Sequence, residues 1–347
     1  MPARQVFFLG AGASKADGAL LQNEIFRDYF REAAWPAGDA LNQELRRFFD
    51  DFWGLDVTAA PQASAYPTFE EALGILELAV RRGESFAGYP LLPEQPSLQQ
   101  AREALVFLIA RALRAKRLDG SSNHDRLVRR LYQSGRLAAT AFISLNYDIL
   151  LDNAVIRQGG ELDLDYGVEF TNYEREADWH RPDPARALAL CKLHGSLNWL
   201  YCPTCITLTL TPEDGRVASM VEAPLRCSAC ASRMTPIIVP PSYLKATANI
   251  FLQNIWQRAE QLLLAAERIV FCGYSLPDAD LNIKYLLKRM ELRRAAPPEI
   301  VVINNHPDKD GRASELERAR YSRFLKSPVT YTDYCFEDLC QGRTELA

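Results

Sequence analysis

Two patterns of apolar and polar positions alternate along the chain. Short apolar runs rich in β-branched and aromatic residues predict strands; they lie at 5–9, 138–145, 188–193, 237–239, 268–272, 300–303 and 329–331. Apolar residues at helical spacing predict helices between them; these lie at 19–34, 41–52, 69–82, 98–116, 124–132, from 149, 243–266, 280–292 and 313–325. Strands that alternate with helices predict an α/β fold, a Rossmann-like parallel sheet with helices on both faces.

Strand patterns are nearly absent between about residues 39 and 136, where helical periodicity dominates. We interpret residues 37–137 as a helical insertion in a domain that residues 1–36 and 138–347 form together. Within that domain, residues 199–236 carry four cysteines and predict a small zinc-ribbon module.

Charge and length exclude several classes of protein. Forty basic and 44 acidic residues give a net charge of −4, so we expect no direct nucleic-acid binding, which normally needs a basic surface. No apolar run approaches the roughly 18–20 residues of a membrane span, and the first residues lack the apolar core of a signal peptide. We therefore predict a cytoplasmic protein without membrane contact, whose eight cysteines stay reduced.

The cysteine spacing is the most specific chemical pattern in the sequence. Cys202 and Cys205 form one C-x-x-C pair, and Cys227 and Cys230 form a second. Four thiolates in two such pairs are typical of a structural zinc site, in which no coordination position is left for a substrate. The alternative is four incidental cysteines.

A glycine-rich turn follows the first predicted strand, with the sequence Gly10-Ala11-Gly12-Ala13-Ser14. Glycines allow a sharp turn and close approach of a ligand, and the amides of a following helix favour an anion such as a pyrophosphate. Lys15 replaces the third glycine of the dinucleotide fingerprint, and no acidic residue closes a second strand about 20 residues later, which argues against hydride transfer. A tight turn without a ligand is the alternative.

Polar residues follow four predicted strands, and the carboxyl ends of parallel strands share one edge of a sheet. We therefore expect one crevice lined by these groups, although each alone is also compatible with a helix cap or a scaffold role. The residues concerned are Asn146 and Asp148, His194, Gly273 and Ser275, and Asn304.

Taken together, these motifs resemble the sirtuin-like NAD-binding family, whose motifs occur here in the same order over residues 4–36 and 138–305. The resemblance implies that NAD is the ligand. It implies a pocket for nicotinamide at Asn146 and Asp148 and a ribose-facing base at His194, the three candidate catalytic residues. The implied contacts to the rest of NAD are Gly10, Ala11, Gly12, Ala13 and Ser14 at the pyrophosphate, and Gly273, Ser275 and Asn304 at the adenosine half.

Departures from the protein-deacylating members refine the resemblance. Those members carry Asp-Phe-Arg after the glycine turn, Gln before Asn-x-Asp and Phe-Gly-Glu after the zinc module. Here residues 17–22 lack the first, Leu145 replaces the glutamine, and residues 237–242 contain two prolines, which cannot donate backbone hydrogen bonds to a peptide. The remaining pattern is similar to the bacterial sirtuin-like proteins of anti-phage defence, which hydrolyse NAD.

The resulting hypothesis is an NAD glycohydrolase that uses NAD as its substrate and depletes it in anti-phage defence. Two alternatives remain: an NAD-dependent protein deacylase, and a module that binds NAD or ADP-ribose as a sensor. The helical insertion carries no chemical motif, so we expect it to form a lid or an interface. Defence proteins of this kind imply a homo-oligomer and a separate sensor or ATPase partner.

Overall fold

The computed structural model describes residues 3–32, 39–59, 62, 65–91, 97–114, 122–158, 162–172, 179–211, 225–239, 249–305 and 310–344. This part of the chain forms a mixed α/β structure, which confirms the predicted fold class. No helix in these ranges is both long enough and apolar enough to cross a membrane.

The described strands are β1 (Gln5–Leu9), β2 (Thr140–Ser144), β3 (Asp163–Asp165), β4 (Phe170–Asn172), β5 (Trp179–His180), β6 (Ala187–Lys192), β7 (Gly195–Cys202), β8 (Thr207–Leu210), β9 (Thr235–Ile238), β10 (Arg268–Cys272), β11 (Glu299–Ile303) and β12 (Val329–Tyr331). The described helices are α1 (Ala11–Lys15), α2 (Ile25–Glu32), α3 (Ala40–Trp53), α4 (Phe69–Arg82), α5 (Leu98–Arg114), α6 (Asn123–Gln133), α7 (Leu150–Arg157), α8 (Ile250–Ala265), α9 (Leu281–Arg293), α10 (Gly311–Phe324) and α11 (Phe336–Gln341).

Within the described residues, seven parallel strands form the main sheet, in the order β12-β11-β10-β1-β2-β6-β3. β1 lies at the centre, with Leu9 opposite Cys272 on one side and Ser144 on the other. The buried, nearly continuous apolar runs of β1, β2 and β10 suit strands that helices cover on both faces. The order of the strands changes direction at β1, so the loops after β1, β2 and β10 open onto one crevice.

A second sheet lies beside the main one and contains β5, β4, β8, β7 and β9 in that order, as far as the described chain shows. β7 starts directly after the end of β6, so His194 is in the turn that joins the two sheets. β7 ends at Cys202, Cys205 lies in the turn that follows, and β9 follows the second cysteine pair.

Two hydrophobic cores support these layers. The first surrounds the main sheet and includes buried residues of α6, such as Leu127 and Leu131. The second joins α2, α3, α4 and α5 to β7, β9 and the cysteine pairs; Phe26 and Phe49 meet there edge to face, with ring centroids 4.8 Å apart. Helix α6 belongs to the predicted insertion 37–137, yet it packs in the core of the main sheet. The boundary of the insertion at residue 137 remains a prediction.

Most predicted elements agree with the structure to within a few residues, and the predicted helix at 19–34 is the main error. After Gly10, the residues of the glycine turn themselves form the short helix α1, and the chain enters α2 only at Ile25. Gly18 lies between them at a φ of 84°, where a helix cannot continue. The sequence pattern also missed β3, β4, β5, β7 and α11, while the predicted helix start at 243 lies outside the described residues.

Candidate functional site

Backbone hydrogen bonds join the glycine turn to the end of β10 and the loop that follows it. The Gly10 amide donates to Cys272 O at 2.9 Å, and the Gly12 amide donates to Gly273 O at 2.8 Å. A Cβ atom on Gly12 would lie 2.8 Å from Gly273 Cα, and one on Gly273 would lie 2.0 Å from the Ala13 nitrogen. The glycines are therefore needed because two backbones touch, besides any space they leave for a ligand.

A short hydrogen-bond chain joins this turn to the end of β2. Asn146 Nδ2 donates to Gly10 O at 2.9 Å and to Ser14 Oγ at 2.7 Å, and Ser14 Oγ donates to Asp148 Oδ2 at 2.7 Å. The other carboxylate oxygen of Asp148 accepts from the Leu150 amide at the start of α7. Because Gly10 O can only accept, the orientation of the Asn146 amide is fixed, and its Oδ1 is the atom left to accept from a substrate.

Tyr147, between these two residues, points into the second core. Its hydroxyl donates to Val239 O at 2.8 Å, and the Val239 amide donates to His194 O at 3.0 Å. Burial raises the pKa of Tyr147 well above its usual value, helped by the charges of Glu70 and Asp280. The tyrosine therefore stays protonated. Its hydroxyl joins the end of β2 to Val239, whose amide in turn bonds to the backbone of His194.

His194 is almost fully buried, and its ring centroid lies 6.2 Å from that of Tyr147. Its position depends on Gly195, which adopts a φ of 86°. A Cβ atom there would lie 2.0 Å from Ile237 O, so only glycine permits the turn from β6 into β7 at this point.

A cleft of about 350 Å³ brings the predicted site residues together. Its lining includes the predicted residues Gly10, Ala11, Ser14, Asn146, Asp148, His194, Gly273 and Ser275. The other three, Gly12, Ala13 and Asn304, lie outside the described lining. Gly12 and Ala13 use their amides within the protein, and Asn304 Nδ2 donates to the buried Glu317 at 2.7 Å.

Helices of the second core close the other side of this cleft, which the sequence analysis missed. Thr68, Phe69 and Glu70 line it, because a capping box between Thr68 and Glu71 starts α4 there. Gln22 donates to Glu70, and both line the cleft. The capping box is visible in the sequence as Thr-x-x-Glu, although nothing in the sequence places it near the glycine turn.

Asp280 is a second carboxylate that the sequence analysis missed. It lines the cleft and accepts from the Tyr274 hydroxyl at 2.9 Å. With Glu70 and Asp148 it makes the cleft acidic, and none of the described lining residues is a lysine or an arginine. The cleft therefore favours a positively charged group.

A buried pair, Asp17 and His124, joins the segment that follows α1 to the start of α6. Asp17 accepts from His124 Nδ1 at 2.5 Å and from the amides of Asn123 and His124 at the start of α6. Burial alone would raise the pKa of Asp17, but these hydrogen bonds and the nearby His124 lower it below its usual value. His124 thus has a structural role, since it joins the start of α6 to the segment after α1.

The four predicted metal ligands are clustered. The Sγ atoms of Cys202, Cys205, Cys227 and Cys230 all lie within 4.8 Å of one another. Cys202 and Cys230 are 3.6 Å apart, and Cys205 and Cys227 are 3.9 Å apart. Tetrahedral zinc with Zn–S bonds of about 2.3 Å needs a spacing of about 3.8 Å, so the cluster fits a structural zinc ion.

No curated protein matches the chain. Among solved structures, the one described as "Structural Basis for the Mechanism and Regulation of Sir2 Enzymes" matches with 14% identity and a TM-score of 0.46, over 98% of this chain and 91% of the other. Another, described as "Sir2-p53 peptide-NAD+", matches with 13% identity and a TM-score of 0.41, over 97% and 90%.

A family model described as SIR2-like domain matches residues 140–325, from β2 to the end of α10. The match includes Asn146, Asp148, His194, the cysteine quartet and Gly273. Since it spans more than half of the 347 residues, the chain belongs to the SIR2-like domain family, which confirms its resemblance to the sirtuins.

Proposed function

We propose that this protein is an NAD glycohydrolase, which converts NAD and water into nicotinamide, ADP-ribose and a proton. The observation that carries the proposal is the cleft that joins the glycine turn to Asn146, Asp148 and His194. Family membership supports NAD as the substrate.

The charge of the cleft supports cleavage of the bond between nicotinamide and ribose. That bond breaks with oxocarbenium character on the sugar, as in glycoside hydrolysis. Nicotinamide is cationic before it leaves and takes the bonding electrons with it, so no general acid is required. The carboxylates of Glu70, Asp148 and Asp280 stabilise positive charge in the cleft, without a basic side chain among the described lining residues to oppose them.

Each candidate catalytic residue has a role that follows from its contacts. Asp148, with its carboxylate held by Ser14 and the Leu150 amide, orients the nicotinamide carboxamide. Asn146 positions the ribose and the attacking water through Oδ1. His194 accepts a proton from that water through its imidazole or polarises a ribose hydroxyl.

The rest of NAD extends along the glycine turn in this proposal. Gly10, Ala11 and Ser14 hold the pyrophosphate at the start of α1, while Gly12 and Ala13 support the turn through their internal hydrogen bonds. Gly273 and Ser275 face the adenosine half, with Asn304 behind them.

The biological role that we propose is depletion of NAD in anti-phage defence, in a cytoplasmic homo-oligomer or with a separate sensor or ATPase. Helices α4 and α5, which close the cleft, are suited to control access to it. Light scattering of the purified protein at micromolar concentration tests self-association, and a strict monomer that recovers no partner argues against it.

Incubation of the purified protein with NAD tests the proposed activity. We expect nicotinamide and ADP-ribose in equal amounts, without any peptide, because the site contains the water-activating residues. Product analysis by chromatography, with and without an acetylated peptide, is the measurement. Nicotinamide release that requires the peptide would identify a deacylase, and binding of NAD that is recovered intact would identify a sensing module.

We further propose that the cysteine quartet binds one structural zinc ion per chain. We expect Cys205→Ser to lose the zinc and to unfold at a lower temperature, since metal binding contributes directly to folding free energy. Metal analysis and thermal denaturation measure both effects. Cys335→Ser is the control, because Cys335 lies far from the quartet in the sequence and its thiol donates to Asp338, as a hydroxyl also can. Equal zinc content in the two variants would refute the site.

A further inference from the structure

Behind the cleft, Lys192 at the end of β6 is buried with an exposed fraction of 1%. Its Nζ donates to the main-chain carbonyl of Asp148 at 2.5 Å and to Asp152 Oδ2 at 3.2 Å. Asp152 is in the first turn of α7 and is equally buried. The lysine therefore spans from the strand that precedes His194 to the loop that carries Asp148.

The same network continues into β7. The Tyr166 hydroxyl donates to Asp152 Oδ1 at 2.6 Å, and the side chain of Asn198 lies beside that hydroxyl. Ser196 Oγ donates to Asn198 Oδ1 at 2.6 Å. Burial, together with the charge of Asp152, raises the pKa of Tyr166 well above its usual value, so the hydroxyl remains a donor.

Burying this many polar groups is costly unless each is satisfied, and here Lys192, Asp152 and Tyr166 are joined by hydrogen bonds. The network joins the two halves of the site through the interior. Ser196 and Asn198 follow His194 in the sequence, yet neither lines the cleft. They lie at the far end of the network, which reaches Asp148 through Tyr166, Asp152 and Lys192.

We propose that Lys192, held by Asp152 and Tyr166, is a positioning residue that fixes the backbone of Asp148 and so the direction of its carboxylate. This inference rests on the proposed function for the role of Asp148. The β2–α7 loop comprises residues 145–149. Whether Lys192 keeps this loop ordered can be measured without any catalytic assay.

Removing Lys192 alone would leave Asp152 as an unpaired buried charge and could unfold the protein. The paired variant Lys192→Met/Asp152→Asn avoids this, because both charges are removed and an asparagine oxygen can still accept from Tyr166. Arg157→Met is the matched control. Arg157 braces the same helix through Asp125, at 2.8 and 3.0 Å, and does not contact the β2–α7 loop in the described structure.

Amide hydrogen exchange of the segment 145–150 is the first measurement. In the paired variant we expect exchange at least about tenfold faster than in the native protein, with β10 unchanged, whereas Arg157→Met leaves the segment as it was. The Leu150 amide, which donates to Asp148 Oδ1, is the most informative site. Unchanged exchange in the paired variant overturns the proposal, whether or not the protein cleaves NAD.

A double-mutant cycle is the second measurement. If Lys192 acts through Asp148, Asp148→Asn should slow nicotinamide release about a hundredfold in the native protein but less than about threefold in the paired variant. Full additivity would mean that Lys192 does not act through Asp148, and would overturn the proposal. Faster loop exchange in a protein that does not cleave NAD would support the positioning and refute the proposed function.

Discussion

We expect His194→Ala to slow nicotinamide release from saturating NAD at least about a hundredfold, since a positioned acid–base group contributes about 10²–10⁴ to a rate. Asn146→Ala should have an effect of similar size, because it removes the oxygen proposed to hold the ribose and water, together with the link to Gly10 and Ser14. Timed quantification of nicotinamide measures both rates.

His180→Ala is the control for loss of an imidazole. His180 Nε2 contacts Leu164 O at 2.6 Å, and the residue is not among those that line the cleft. We expect its rate to stay within about twofold of the native protein. If His194→Ala and Asn146→Ala both retain native rates, the assignment of the catalytic residues is wrong.

We expect Gly273→Ala to lower the free energy of unfolding by about 2–5 kcal/mol and to abolish NAD cleavage. The residue has a φ of 62°, where an alanine costs about 1–2 kcal/mol, and overpacking adds a further cost of about 1–3 kcal/mol. The new Cβ would lie 2.0 Å from the Ala13 nitrogen and 2.5 Å from the Gly12 carbonyl carbon, so the glycine turn must move. Urea denaturation followed by circular dichroism measures the stability.

Gly54→Ala separates backbone strain from the clash. Gly54 ends α3 with a φ of 60°, almost the same as Gly273, but a Cβ atom there meets nothing within 4 Å. We expect this variant to lose only about 1 kcal/mol and to keep its activity. Equal destabilisation of the two variants would mean that the contact between the turn and the β10 loop is unimportant.

The hydrophobic pattern predicted six of the seven described strands of the main sheet and missed β3. The strands β1, β2, β6, β10, β11 and β12 are apolar runs, so they could be predicted to within two residues of their bounds. β7 was missed because it begins with Gly195 and Ser196 and carries Asn198, polar residues that are buried only because the network behind Asp148 satisfies them. Tertiary hydrogen bonds of this kind leave no local pattern.

The site was predictable where polar residues end strands. Asn146, Asp148 and His194 were all found in this way, and the structure places them in one cleft. Glu70 and Asp280 could not be found, because their position depends on how α4 and α9 pack across the sheet. At Gly12 the sequence motif predicted a ligand contact, but in the structure the Gly12 amide donates to the Gly273 carbonyl instead.

Tyr147 has a consequence for any attempt to build a smaller version of this protein. Its ring belongs to the core of α2–α5, while its neighbours Asn146 and Asp148 bond to the glycine turn. A truncated chain without those helices would expose the ring to water and loosen the tripeptide that carries two of the proposed catalytic residues. The helices are thus part of the smallest unit that keeps the proposed site in order.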